Sequence, residues 1–298
     1  MRDEIRKIQD MMEAAEYVTD APVATSVHLA MRLRKPLLIE GPAGVGKTEV
    51  AKVMSRMLGT NLIRLQCYEG LDVSTALYEW NYQKQLLHIK LEEAGHNNRA
   101  MADKEHEIFS EPFLLRRPLL QAITQDSQSP VLLVDECDRT DEEFEAFMLE
   151  VFSDWQVTIP EIGTIKATHP PHVILTSNRT RELSDALRRR CLYLWIDYPT
   201  PDKEIRIIAR KVPGINGRLA REIAKFMETL RQVRLAKVPG VAETLDWAQA
   251  LASLHADHID EALVNETLGC VLKDVDDMKR FRAEVAKAGL SPFLPTPS

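Results

Sequence analysis

Residues 41–48 read Gly-Pro-Ala-Gly-Val-Gly-Lys-Thr and follow directly on the apolar run Pro36-Leu37-Leu38-Ile39-Glu40. The spacing G-x-x-x-x-G-K-T predicts a phosphate-binding loop held between a short buried strand and a helix. The helix declares itself in Val50, Val53, Met54, Met57 and Leu58, spaced i, i+3, i+4, i+7 and i+8. Glycines let the backbone turn so that its N–H groups converge on phosphate oxygens, and the helix N-terminus adds partial positive charge at the same point. The expected nucleotide contacts are therefore Gly41, Pro42, Ala43, Gly44, Val45, Gly46, Lys47, Thr48 and Glu49. Lys47 is expected to reach the β- and γ-phosphates of ATP, and the Thr48 hydroxyl to hold Mg²⁺.

A second apolar run, Val131-Leu132-Leu133-Val134, ends in Asp135-Glu136. Ligands of open parallel sheets bind beyond the carboxyl ends of the strands, so this pair is expected beside the phosphates. Asp135 would steady Mg²⁺ through water, and Glu136 would orient or deprotonate the attacking water. A third run ends Leu175-Thr176-Ser177-Asn178. An amide both donates and accepts, which suits Asn178 to the γ-phosphate or to that water.

Five strands are predicted, at Pro36–Glu40, Asn61–Cys67, Val131–Glu136, His172–Asn178 and Cys191–Tyr198, with helices between most of them. This alternation predicts an α/β fold with a parallel five-stranded sheet covered on both faces. Thr140-x-x-Glu143 reads as a capping box that opens a helix with the stripe Phe144, Phe147, Met148, Val151 and Phe152. Trp155–Pro160 and Thr164–Thr168 flank Glu161-Ile162-Gly163 and read as a β-hairpin.

Residues 69–118 form an insertion, helical near Leu71–Glu93 and polar over Gly95–Glu107. The polar part reads either as a mobile loop or as a contact surface. Residues 1–199, with a helical N-terminal segment, make the α/β domain. Thr200-Pro201-Asp202 opens a small α-helical domain over 200–288, and 289–298 is a Pro-rich tail.

Composition excludes several classes. Net charge is −7 and the pI is about 5.7, against a general nucleic-acid binder. No apolar run approaches the ~18 residues of a membrane span. Met1-Arg2-Asp3-Glu4 lacks the apolar core of a signal peptide. Cys67, Cys137, Cys191 and Cys270 lie far apart, so they read as reduced, mostly buried thiols of a cytoplasmic protein. His255-x-x-His258 lacks further ligands and reads as a helix end. His88, His96 and His106 read as surface residues.

Taken together, Gly41–Thr48, Val131–Glu136, the hairpin before Asn178 and Leu183–Arg190 resemble an AAA+ ATPase, and within it the MoxR family. The stretches Ala76-Leu77-Tyr78-Glu79-Trp80-Asn81-Tyr82 and Ala242-Glu243-Thr244-Leu245-Asp246-Trp247-Ala248 resemble its CoxD-like subgroup. The resemblance covers about residues 10 to 275. It implies a hexameric, ATP-driven homo-oligomer whose helical lid follows the α/β domain. Asn178 then matches sensor 1. Arg190, which directly precedes the fifth strand, matches the arginine finger of a neighbouring site, with Arg189 as the fallback. It further implies chaperone-like work with a von Willebrand factor A domain partner, and a molybdenum-containing hydroxylase as client. No arginine occupies the sensor 2 position in Gly240-Val241-Ala242-Glu243-Thr244; Arg234 and Lys237 lie upstream. That departure keeps a nucleotide-gated scaffold with little turnover open beside the remodelling ATPase. A nucleic-acid motor is disfavoured by charge.

Overall fold

The computed structural model describes residues 2–94 and 107–295. In chain order the elements begin with α1 (Arg2–Ala14), α2 (Ala21–Leu33), β1 (Leu37–Glu40), α3 (Lys47–Leu58) and β2 (Leu62–Gln66). The insertion follows with α4 (Val73–Ala76), β3 (Tyr78–Trp80), α5 (Tyr82–Ala94) and β4 (Leu114–Arg116). The chain continues through α6 (Pro118–Ile123), β5 (Val131–Asp135), α7 (Glu142–Asp154), β6 (Gln156–Ile159), β7 (Gly163–Lys166), β8 (His172–Ser177), α8 (Asp185–Arg190) and β9 (Leu192–Trp195). The last helices are α9 (Pro201–Lys211), α10 (Gly217–Leu230), α11 (Val241–Ser253), α12 (Glu261–Val271) and α13 (Val275–Ala288).

The five-stranded sheet has the order β2-β5-β8-β1-β9, with β1, β8, β5 and β2 paired in parallel. β1 and β5 are buried at every residue, as apolar strands covered on both faces must be. β2, at the sheet edge, alternates buried Ile63 and Leu65 with exposed Arg64 and Gln66. The register sets Gln66 opposite Asp135, Val134 opposite Leu175 and Glu40 opposite Ser177. Polar residues of four strands therefore end at one level.

The hairpin forms as expected: β6 and β7 pair antiparallel, with Val157 and Ile159 buried and Thr158 facing Thr164. Two local expectations need correction. The helix expected near Leu71–Glu93 is interrupted by β3, which pairs antiparallel with β4 and closes the base of the insertion. Tyr78, Trp80 and Leu114 suit a half-buried ribbon better than a helix face. The N-cap of α7 is Asp141, whose Oδ1 accepts from the Phe144 amide, while the Thr140 hydroxyl donates to the Cys137 carbonyl. The polar segment expected at Gly95–Glu107, with His96 and His106, lies outside the described residues apart from Glu107.

By internal contacts the chain forms two compact units. One comprises Met1–Ile8, Ala21–Glu40 and Ala51–Leu194; the other Gln9–Asp20, Gly41–Val50 and Trp195–Ser298. In the second, α9–α13 bury Ile223, Leu230, Trp247 and Leu268 around Phe226. The Phe226 ring lies 4.7 Å from Trp247, 5.6 Å from Phe281 and 5.5 Å from Phe293. Phe293 belongs to the expected Pro-rich tail, yet it is buried in this core, because an aromatic ring gains more from burial than the short turn costs to order. Residues 296–298 lie outside the described part. No helix among the described residues is long and apolar enough to cross a membrane.

Candidate functional site

The phosphate loop is built on glycine. Gly44 and Gly46 adopt φ of 76° and 93°, the left-handed region that other residues enter at a cost of roughly 1–2 kcal/mol. A Cβ at Gly41 would lie 1.9 Å from the Ile196 carbonyl oxygen, so no side chain fits there. Lys47 is buried, and its Nζ donates to the carbonyls of Gly41 at 2.8 Å and Pro42 at 2.7 Å. An ammonium group curled against a glycine turn, at the N-terminus of α3, is the donor set a polyphosphate requires. In this respect the loop fits a nucleotide.

In the same unit, the N-terminus of α11 abuts the loop. The Val241 amide donates to the Gly44 carbonyl at 2.9 Å, and a Cβ at Gly240 would lie 2.7 Å from Gly44 Cα. Glu243 Oε2 accepts from the Gly240 amide at 2.8 Å, closing the helix cap. This turn is the position that the AAA+ resemblance assigns to sensor 2, and it carries no arginine. Arg231 supports the contact from behind. Its guanidinium grips Glu204 with two 2.7 Å bonds, donates from Nε to the Pro239 carbonyl at 3.0 Å, and lies 4.9 Å from the Tyr198 ring centre.

In the other unit, Thr176 ties the expected acids together. Its hydroxyl donates to Asp135 Oδ1 at 2.6 Å and accepts from the Glu136 amide at 2.9 Å. Asp135 is buried, and its Oδ2 accepts from Arg64 Nη2 at 2.5 Å and Nε at 3.1 Å. Glu136 sits at φ 56°, ψ 48°, a strained conformation for a residue with a Cβ, at the turn that ends β5. Its Oε2 faces Arg139 Nε at 3.0 Å and Gln66 Nε2 at 3.4 Å, and its Oε1 faces Asn178 Nδ2 at 3.5 Å. Asp135, Glu136 and Asn178 are thus brought into one cluster.

The loop after β8 hangs on buried Asp138. Its Oδ2 accepts from the Asn178 amide at 3.2 Å, the Thr180 amide at 2.8 Å and the Thr180 hydroxyl at 2.7 Å. Glu40 plays a similar part at the end of β1, accepting from Tyr193 at 3.0 Å and Ser177 at 3.3 Å. Burial, then the Glu40 bond, pushes the Tyr193 hydroxyl above its ordinary range. Burial likewise pushes the Cys67 thiol up to about 12; of the four thiols expected to be mostly buried, Cys67 and Cys137 are buried and Cys191 and Cys270 half-buried.

The arginine run occupies α8, which is N-capped by Ser184. Buried Glu145 accepts from the Ser184 amide at 2.9 Å and from Arg181, fixing the entry to that helix. Arg190 Nη1 donates to the Leu149 carbonyl at 3.1 Å, whereas Arg189 stands in solvent, 84% exposed, 3.9 Å from Asp185. His258 is exposed beside Asp257, in the loop between α11 and α12 and not at the helix end expected.

Sequence reasoning missed Thr176, Asp138, Arg64 and Arg231. Thr176 stood in a quoted run and Arg64 in a predicted strand, while Asp138 stood in no quoted motif; only the folded chain shows that Thr176 faces Asp135 and Asp138 faces Asn178. Arg231 left no signal, since its partner Glu204 is far away in sequence.

Comparison with known proteins gives the family and the fold. The model of the dynein-related AAA domain matches residues 36–191, just over half of the chain. This protein belongs to the dynein-related AAA subfamily. Among relatives of this AAA protein, an uncharacterized protein of Staphylococcus epidermidis is 25% identical over 228 residues, covering 74% of this chain and 78% of the relative. An uncharacterized protein of Staphylococcus aureus is 25% identical over 243 residues, covering 79% and 82%. Among solved structures, one point mutant of Thermotoga maritima RuvB matches with TM-score 0.51 at 18% identity, covering 96% of this chain and 76% of that one. A second mutant matches with TM-score 0.51 at 19% identity, covering 93% and 87%. At such identities the likeness shows the AAA+ fold alone.

Proposed function

We propose that this AAA protein hydrolyses ATP as a ring, a hexamer, and uses the cycle to remodel a client protein. The observation that carries the reading is the Thr176 bridge, which fixes Asp135 and Glu136 as one unit with Asn178 in reach of Glu136. In this reading the loop amides and Lys47 hold the phosphates. Thr48 and Asp135 are the magnesium ligands, and the ion, when bound, neutralises phosphate charge. Glu136 accepts a proton from the attacking water and Asn178 orients it. Arg190, or Arg189, reaches the site of a neighbouring subunit, where such a group accelerates transfer by roughly 10³–10⁵.

The finer assignment is to the MoxR family and its CoxD-like subgroup, with a von Willebrand factor A domain partner and a molybdenum-containing hydroxylase as client. Its support is the sequence resemblance over Ala76–Tyr82 and Ala242–Ala248. The four free cysteines fit a reducing, cytoplasmic setting. A second reading, a nucleotide-gated scaffold, draws on Arg64 and Arg139, which ion-pair both acids.

Mixing two inactive variants tests catalysis between subunits. Lys47→Ala lacks the phosphate contact and Arg190→Ala lacks the finger. Mixed rings should regain part of the turnover. Lack of recovery at any ratio, with Arg189→Ala behaving the same way, contradicts a shared site.

A further inference from the structure

We propose that His88, Glu92 and Glu107 form a binding site for one divalent transition-metal ion of the zinc class, which fastens the returning segment of the insertion to α5. The site is separate from the nucleotide residues and does not rest on the ATPase reading.

His88 and Glu92 are four residues apart on α5, so they share one helix face. The segment 107–113 is laid along that helix by a series of bonds. The Asn81 amide donates to the Phe113 carbonyl at 2.8 Å, Lys84 Nζ to the Pro112 carbonyl at 2.8 Å, and buried Gln85 Nε2 to the Ile108 carbonyl at 2.7 Å. One turn beyond Gln85 this series ends at His88, whose ring packs edge-on against Phe113 at 5.3 Å. There His88 Nε2 meets Glu107 Oε1 at 3.5 Å and Glu92 Oε1 at 3.9 Å. The three donor atoms all lie within 4.8 Å of one another.

The imidazole nitrogen is the second observation. The ring was expected on the surface and its side chain is 31% exposed, but Nε2 itself is shielded from solvent and makes no hydrogen bond among the described residues. A shielded ring nitrogen left unbonded is unfavourable, because it has lost its water without gaining a partner. The carboxylates of Glu92 and Glu107 approach it without bonding geometry. A metal ion accepts the lone pair of that nitrogen and one oxygen from each carboxylate. Bond lengths of about 2.0–2.2 Å put tetrahedral ligand atoms roughly 3.3–3.6 Å apart, so small side-chain shifts bring the three donors onto one ion. One imidazole with two carboxylates favours zinc and its neighbours over calcium or magnesium, which prefer oxygen alone. With three protein ligands on half-buried side chains, the remaining coordination position goes to water.

The competing arrangement is a protonated His88 between two carboxylates, with no affinity for metal. Calorimetric titration of Zn²⁺ into the chelator-treated full chain separates the two. One saturable equivalent is expected, weakened by at least about tenfold in His88→Ala and in Glu107→Gln and unaltered in His258→Ala. Co²⁺ should give the visible absorption of a four- or five-coordinate ion, lost in Glu107→Gln. Circular dichroism and melting of the metal-free variants check that they are folded. Absence of a saturable equivalent in the parent, or equal binding by folded His88→Ala and Glu107→Gln, overturns the proposal.

Discussion

Gly44 and Gly240 meet backbone to backbone, with the Gly44 carbonyl accepting from Val241 at 2.9 Å and no room for a Cβ on Gly240. The phosphate loop and the first turn of α11 are therefore one packed object. Gly240→Ala should push them apart, lowering the melting temperature and weakening nucleotide binding measured by fluorescent-nucleotide titration. Gly269→Ala is the control. Gly269 lies exposed within α12 with nothing near its would-be Cβ, and the change should stabilise by about 0.5–1 kcal/mol.

The Arg231–Glu204 pair is buried, with side-chain exposures of 8% and 1%. Removing one partner leaves an uncompensated charge, so Arg231→Ala should destabilise the helical region by about 3–5 kcal/mol in denaturant unfolding. Arg231→Lys should rescue little, because an ammonium cannot reproduce the two-pronged contact and the Nε bond to Pro239.

Thr176→Val removes the hydroxyl between Asp135 and Glu136 while keeping the shape. It should cost about 1–3 kcal/mol, and turnover should fall more than nucleotide binding. Thr176→Ser, which restores the hydroxyl, should recover both. Equal turnover in the valine and serine variants would remove the bridge from the mechanism.

The sheet and the loop were legible because each depends on local pattern. An apolar run, a glycine turn and a 3.6-residue stripe identify β1, the phosphate loop and α3 without knowledge of any partner. The positions of Glu136 and Asn178 were legible because each directly follows an apolar strand run. Thr176 and Arg231 were not, since a buried hydroxyl or guanidinium acquires meaning only from what lies opposite. The interruption of the insertion by β3 was hidden for a similar reason. Tyr78–Trp80 is too short to show alternation, and its partner Leu114–Arg116 stands across the insertion.

Asp277 gives the helical region an acid dependence. Its carboxylate accepts from the amides of Ala236 and Lys237 at 2.8 and 2.9 Å, and Arg280 adds a 3.0 Å ion pair. The Ala236 bond foremost holds it below the usual carboxylate range. A depressed folded value means the stabilisation is complete above the unfolded value, near pH 4, and is lost as pH falls through the folded one. Asp277→Asn should be less stable than the parent at neutral pH, and the gap should narrow below about pH 4 in thermal melts.

The central claim is that Glu136 drives hydrolysis at a site shared between subunits. The most direct measurement is steady-state Mg-ATPase activity over a wide range of protein concentration, with Glu136→Gln as the blank. Specific activity should rise with concentration and reach a plateau, while the blank binds ATP and turns none over. Activity that is flat with concentration, or unchanged in Glu136→Gln, contradicts it.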